Sequence, residues 1–160
     1  MERIQWFPGH MTKAMREMEA KKDLCDGVVC VLDARAPAAT VNRNLLKLFG
    51  TKPVLYVLNK GDLADGEADA FVRMIEGKGH PCLKCNAMNG NSKRALALKM
   101  QAITREKRER AQAKGIRKTF RFMVIGIPNT GMSTLINLLS GENKAKTGYK
   151  AGVTRESRWI

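Results

Sequence analysis

Nine consecutive residues, Gly126-Ile127-Pro128-Asn129-Thr130-Gly131-Met132-Ser133-Thr134, have the spacing of a phosphate-cradling loop, G-x-x-x-x-G-K-[ST]. Glycines in such a loop let successive backbone N–H groups turn inward around a phosphate, and the N-terminus of the following helix adds partial positive charge. Ser133 would offer its hydroxyl to Mg²⁺. Two glycines and a serine alone fit a turn that binds nothing. The motif also demands a strand before it and a helix after it, and the apolar run Phe120 to Ile125 and the pattern of residues 131–140 supply both. Met132 stands where a lysine would meet the β- and γ-phosphates. Losing such a charge-assisted contact costs about 2–5 kcal/mol, roughly 30- to several thousand-fold in affinity. The expected site keeps its backbone cradle but holds a nucleotide weakly and transfers phosphate poorly.

A second cluster precedes the first. Asn59-Lys60-Gly61-Asp62 directly follows an apolar run and matches N-K-x-D, which reads guanine. The Asp62 carboxylate can accept from both N1–H and the 2-amino group of guanine, donors that adenine lacks; Lys60 can lie along the base with its methylenes, and Asn59 can brace the loop. The bland alternative is a polar turn after a strand. Further on, Cys85-Asn86-Ala87-Met88-Asn89-Gly90 resembles the [ST]-A-x loop whose backbone contacts the guanine oxygen, with Asn86 at the usual serine position.

Strands and helices alternate around these loops, the pattern of a parallel sheet covered by helices. Val28 to Asp33 and Pro53 to Asn59 read as strands buried on both faces, and residues 82–86 and 120–125 as further strands. Helices are expected over 9–24, 41–49, 66–78, 92–113 and 131–140, with residues from 141 onward as loop and a strand near the end. Cys82 and Cys85, with His80 nearby, suggest half of a zinc site. A closed site needs four ligands, and strand geometry sends the two cysteines to different faces, so buried thiols are the favoured reading.

Lys and Arg total 29 against 15 Asp and Glu, a net charge of +14 that favours nucleic acid as a partner. Eight of these basic residues fall between Arg105 and Arg121, opposed only by Glu106 and Glu109. Charge reversal of Arg108 and Arg110 is therefore expected to flatten the salt dependence of RNA binding, unless the cluster is simply a solvated face. No apolar stretch is long enough for a membrane span or a signal peptide, so the expected location is cytoplasmic.

Four separated motifs then agree in order and spacing: Trp6-Phe7-Pro8-Gly9-His10-Met11, Asp33-Ala34-Arg35-Ala36-Pro37 (D-A-R-x-P), Asn59-Lys60-Gly61-Asp62 and the Gly126–Thr134 loop. With the base-reading loops ahead of the phosphate loop, the sequence resembles the circularly permuted GTPases, specifically the bacterial ribosome biogenesis GTPase A group. The resemblance implies an α/β, P-loop NTPase-like three-layer fold with a mostly parallel sheet. It also implies binding of GTP/GDP with Mg²⁺, and action on the large ribosomal subunit in contact with rRNA. Carried over by motif, His10 would position the attacking water, with helix-start packing or capping as an equal alternative. Asn129 would help hold K⁺, and Thr154 would close on Mg²⁺ beside Ser133; Ala151 departs from the family's proline. The chain ends at Trp159-Ile160 before any D-x-x-G motif, so the domain is expected to be incomplete, without the family's C-terminal RNA-binding domain. Two functions stay open: a GTPase of large-subunit assembly impaired by Met132 and truncation, or a catalytically inactive, GTPase-like RNA- and ribosome-binding module.

Overall fold

Five consecutive apolar residues, Val28 to Leu32, three of them β-branched, form the centre of β1, Gly27–Asp33, a strand buried along its whole length. The structure, a computed structural model, describes residue 16 and residues 18–41, 43–63, 65–117, 120–126 and 130–140. The other strands are β2 (Val54–Asn59), β3 (Cys82–Lys84) and β4 (Phe122–Gly126). They form a four-stranded sheet in the order β3-β2-β1-β4, every pair parallel. The helices are α1 (Pro37–Thr40), α2 (Arg43–Lys47), α3 (Gly66–Gly77), α4 (Ser92–Ile103), α5 (Arg105–Ala113) and α6 (Met132–Ser140).

Period-two alternation along β1 divides the core. Val28, Cys30 and Leu32 join Ala68, Phe71 and Ile75 of α3, with Met18 and Phe49, on one face. Val29 and Val31 join Leu96 and Met100 of α4 and Met132, Leu135 and Ile136 of α6 on the other. The result is the expected three layers. The chain steps from β1 to β2 to β3 in one direction, then returns to lay β4 on the far side of β1. That reversal puts a topological switch point at the C-terminal ends of β1 and β4, the place where open α/β sheets bind ligands.

Several elements differ from the sequence reading. The helix expected over 92–113 is two helices, α4 and α5, parted at Thr104. Thr104 is 1% exposed, and its hydroxyl donates to the carbonyls of Met100 and Gln101. Such a bond to the preceding turn weakens and bends a helix, and it sits where α4 and α5 part. The strand expected over 120–125 starts at Phe122 and runs to Gly126; the Arg121 backbone instead pairs with Asp26, whose carboxylate accepts the Arg121 N–H at 2.9 Å. The helix expected over 41–49 shortens to α2, and β3 ends at Lys84. Of the helix expected over 9–24, residue 16 and residues 18–21, all helical, and a 3₁₀ turn, Lys22–Leu24, lie within the described residues. No helix among the described residues is long and apolar enough to cross a membrane.

Candidate functional site

In an all-parallel sheet every strand ends on the same edge, so the loops after β1, β2, β3 and β4 share one end of the molecule. Register fixes who meets whom: Asp33 pairs with Asn59 across β1 and β2, and Val31 pairs with Gly126 across β1 and β4. Asn59, buried as the last residue of β2, joins three loops with one side chain. Its amide Nδ2 donates to the Thr130 carbonyl at 3.0 Å, and its Oδ1 accepts the Ala87 N–H at 2.8 Å. The N-K-x-D segment is thereby bonded to both the phosphate-type loop and the Asn86–Ala87 loop, though 71 residues separate Asn59 from Thr130.

Two glycines make this closeness possible. Gly131 has φ +83°, a left-handed conformation, and a Cβ there would strike the Asn59 amide nitrogen. A Cβ on Gly126 would lie 3.0 Å from the Thr130 hydroxyl and 3.1 Å from the Val31 carbonyl. Thr130 itself is buried, and Ser133 and Thr134 are half-buried in the first turn of α6. Met132, the first residue of α6, is only 6% exposed and belongs to the apolar cluster with Val31, Leu135 and Ile136. At the lysine position of the motif, the side chain is part of the core.

On the β1 side, Asp33 is 6% exposed and holds two cations. Arg35 meets it in a fork, Nη2 at 2.7 Å from Oδ2 and Nε at 3.0 Å from Oδ1, while the Arg35 N–H donates to Oδ1 at 2.9 Å. Lys60 Nζ lies 3.2 Å from Oδ2. Burial opposes the Asp33 charge, but the Arg35 hydrogen bonds and then Lys60 outweigh it and hold the carboxyl at about 2. Lys60 has φ +61°, the only non-glycine residue in the left-handed region among those described. Asp62 is exposed on the 3₁₀ turn Gly61–Leu63. Asn86 folds its carboxamide back on its own loop, Oδ1 accepting the Met88 N–H at 2.9 Å. The Ala87 N–H of the same loop donates to Asn59 Oδ1. His10, Asn129 and Thr154 lie outside the described residues.

Sequence reasoning attached no role to Asp33 or to Thr40, whose hydroxyl accepts the Asp33 N–H at 3.1 Å. The only signal for Asp33 was the placement of D-A-R-x-P directly after a buried strand, and Thr40, beyond that segment, had none. Cys82 and Cys85 fall in the clusters on opposite faces of the sheet. Burial pushes the Cys82 thiol up to about 12 and that of Cys85 up to about 11, which disfavours the thiolate a metal would need.

The basic surface is only partly free. The Arg108 guanidinium stacks 4.3 Å from the centre of the Phe120 ring, and its Nε donates to the Thr104 hydroxyl. Lys107 lies 3.6 Å from the buried Asp26 carboxylate. Arg105 and Arg110 pair along α5 with Glu109 and Glu106 in full solvent, where such pairs are weak. At the opposite end of the sheet, before β2, a cleft of about 480 Å³ is lined by Lys22, Lys47, Lys52 and Lys107, with Asp23.

Residues 121–160 match the profile of the 50S ribosome-binding GTPase family. Ribosome biogenesis GTPase A of Bacillus cereus is 42% identical over 159 residues, covering 98% of this chain and 54% of that protein. The Bacillus licheniformis protein of the same name is 40% identical, covering 98% of this chain and 56% of its own length. The crystal structure of GNP-bound YlqF from T. maritima superposes with a TM-score of 0.56 at 28% identity, covering 85% of this chain and 50% of that one. The chain thus spans about half the length of the curated relatives it matches.

Proposed function

The chain is a homologue of ribosome biogenesis GTPase A, and from that kinship we propose that it binds GTP and GDP at the edge where its N-K-x-D and phosphate-type loops meet, in the service of large-subunit assembly. The observation that carries this reading is the Asn59 side chain, bonded at once to Thr130 and Ala87. A base-reading segment and a phosphate loop tied by one buried amide can grip both ends of a single nucleotide. Asp62, exposed beside that joint, would accept from guanine N1–H and its 2-amino group. Lys60 would lie along the base.

The described residues of the loop suit a phosphate in part: Gly126 and Gly131 have no room for a Cβ, and the α6 N-terminus, with Ser133 in its first turn, would supply backbone N–H donors. Ser133 and Thr154 would hold Mg²⁺, which when bound neutralises charge on the phosphates; Asn129 would help hold K⁺. His10 would orient water for hydrolysis. The fit fails at position 132, where a buried methionine replaces the cation. That single residue favours a second reading, a module that holds nucleotide weakly, does not turn it over, and works by docking. Under either reading the partner would be the large subunit through rRNA, met by the +14 chain's exposed Arg105 and Arg110 and the lysine-lined cleft.

Titration calorimetry with GDP, ADP and XDP tests the site. The parent chain is expected to prefer GDP. Asp62→Asn presents one acceptor and one donor, which suits the N1–H and C2 carbonyl of xanthine, so it should weaken GDP by at least about tenfold and strengthen XDP. Equal affinity of the parent for GDP and ADP would overturn the guanine assignment.

A further inference from the structure

Lys60 is pinned at both ends. Its backbone has φ +61°, a conformation that a lysine adopts only when its surroundings impose it. Its ammonium sits 3.2 Å from Asp33, a carboxylate delivered by the neighbouring strand at the register position opposite Asn59. The Lys60 side chain is 21% exposed and that of Asp33 is 9% exposed, so this contact is largely out of solvent. Arg35 already contacts both Asp33 oxygens and closes the turn after β1 through its own N–H, and Lys60 is a second cation on the same carboxylate. The second cation on Asp33 calls for a further role.

We propose that Asp33 is a positioning residue for the nucleotide base, holding the Lys60 ammonium at the end of β1 so that the lysine's methylene stem forms a fixed ledge for the purine plane. The inference rests on the guanine-site reading above and assigns a task to the D-A-R-x-P segment within it. A free lysine stem samples many rotamers, and a ligand that stacks on it must first order it. Tethering that ammonium removes the ordering step before the base arrives. The ledge touches the flat face of the base rather than its edge. It therefore acts alike on every purine, whereas Asp62 discriminates by edge.

The test is a double-mutant cycle on Asp33 and Lys60, read by titration with GDP and with IDP, which lacks the 2-amino group. Immobilising one side chain of this kind is worth about 0.5–1.5 kcal/mol, so Asp33→Asn should weaken GDP and IDP equally, by between about two- and twelvefold. Lys60→Met, which keeps most of the stem and loses the tethered charge, should do the same. The double variant should be no worse than either single one, and Asp33→Glu should restore part of the loss. Additive effects, or a lower melting temperature with unchanged nucleotide affinity well below it, would overturn the proposal and leave Asp33 a structural residue. A change in the GDP-to-IDP ratio for Asp33→Asn would also overturn it, since the ledge does not read the base edge. If the parent chain binds neither nucleotide, the guanine site itself is refuted and the positioning role falls with it.

Discussion

Replacing Met132 by lysine sets two quantities against each other. Met132 is 6% exposed within the apolar cluster of Val31, Leu135 and Ile136, so the substitution removes a thioether and a methyl from the core while inserting a stem of similar length. Lysine methylenes retain much of that contact, and the lost packing costs the unliganded chain about 1–2 kcal/mol. In exchange, an ammonium becomes available one residue after Gly131, at the first residue of α6, where bound phosphates would lie. A charge-assisted contact there is worth about 2–5 kcal/mol, and at about 1.4 kcal/mol per tenfold this predicts GDP binding roughly 30- to several thousand-fold tighter. The two effects have separate readouts. Without nucleotide, Met132→Lys should melt lower than the parent. With saturating GDP and Mg²⁺ it should melt higher, because ligand stabilisation grows with [L]/Kd. Calorimetry gives the affinities directly. An affinity within threefold of the parent would show that the ammonium stays trapped in the core or that the loop is not a phosphate site. Equal gains for GDP and for free phosphate would show a generic anion effect. Hydrolysis with and without large subunits then tests the first functional reading: turnover restored by lysine alone marks a competent scaffold, and silence in both chains refutes the view that Met132 alone is the defect.

Three further outcomes are expected. Asn59→Ala removes the amide that bonds the buried Thr130 carbonyl and Ala87 N–H and should cost about 2–4 kcal/mol in urea unfolding; a loss under about 1 kcal/mol would mean that other partners or water take over both groups. Asp33 is held at about 2 when folded, against an ordinary value of 3.8, so its ionisation stabilises the fold in full above pH 4, and that contribution fades as pH falls toward 2. The stability gap between parent and Asp33→Asn should therefore shrink over that interval by about 2 kcal/mol, and a gap independent of pH would assign the effect to packing. For single-stranded RNA, Arg105→Gln with Arg110→Gln should reduce the log–log salt slope by about 1.4 at unchanged melting temperature, whereas an unchanged slope would make α5 a solvated face. Arg108 is a poor probe for that purpose, because its guanidinium is stacked on Phe120 and bonded to Thr104.

The layers were legible because strands covered by helices must be largely apolar, and residues 28–32 and 54–58 are unbroken apolar runs, although Val54 and Tyr56 of the second are only half-buried. The motif positions were legible because their glycines and polar residues interrupt those runs. Side-chain destinations were not. Residues 92–113 contain no glycine or proline to end a helix, and only the burial of Thr104 against Met100 and Gln101 reveals the break. Likewise D-A-R-x-P shows an aspartate after a strand, but its contact with Lys60 depends on the β1–β2 register that sets Asp33 opposite Asn59. The inward turn of Met132 depends on which face of α6 meets the sheet.

Chain order and site geometry are independent in this fold for a physical reason. A parallel sheet collects the loops after all its strands on one edge, and which loops touch is decided by strand adjacency. β1 lies between β2 and β4, so a side chain at the end of β2 must cross the width of one strand to reach the loop after β4. Asn59 does so because β1 turns away at Ala34 and Arg35, whose turn is closed by Asp33, and because Gly131 has no Cβ to block the amide. The joint therefore needs a short bridging side chain with both a donor and an acceptor, a glycine opposite, and an early turn in the strand between. Each of these is a local property of one strand end, and none requires the base-reading loop to come after the phosphate loop in the chain. Swapping the order of the motifs alters which connections are covalent while leaving the contacts that define the site unchanged.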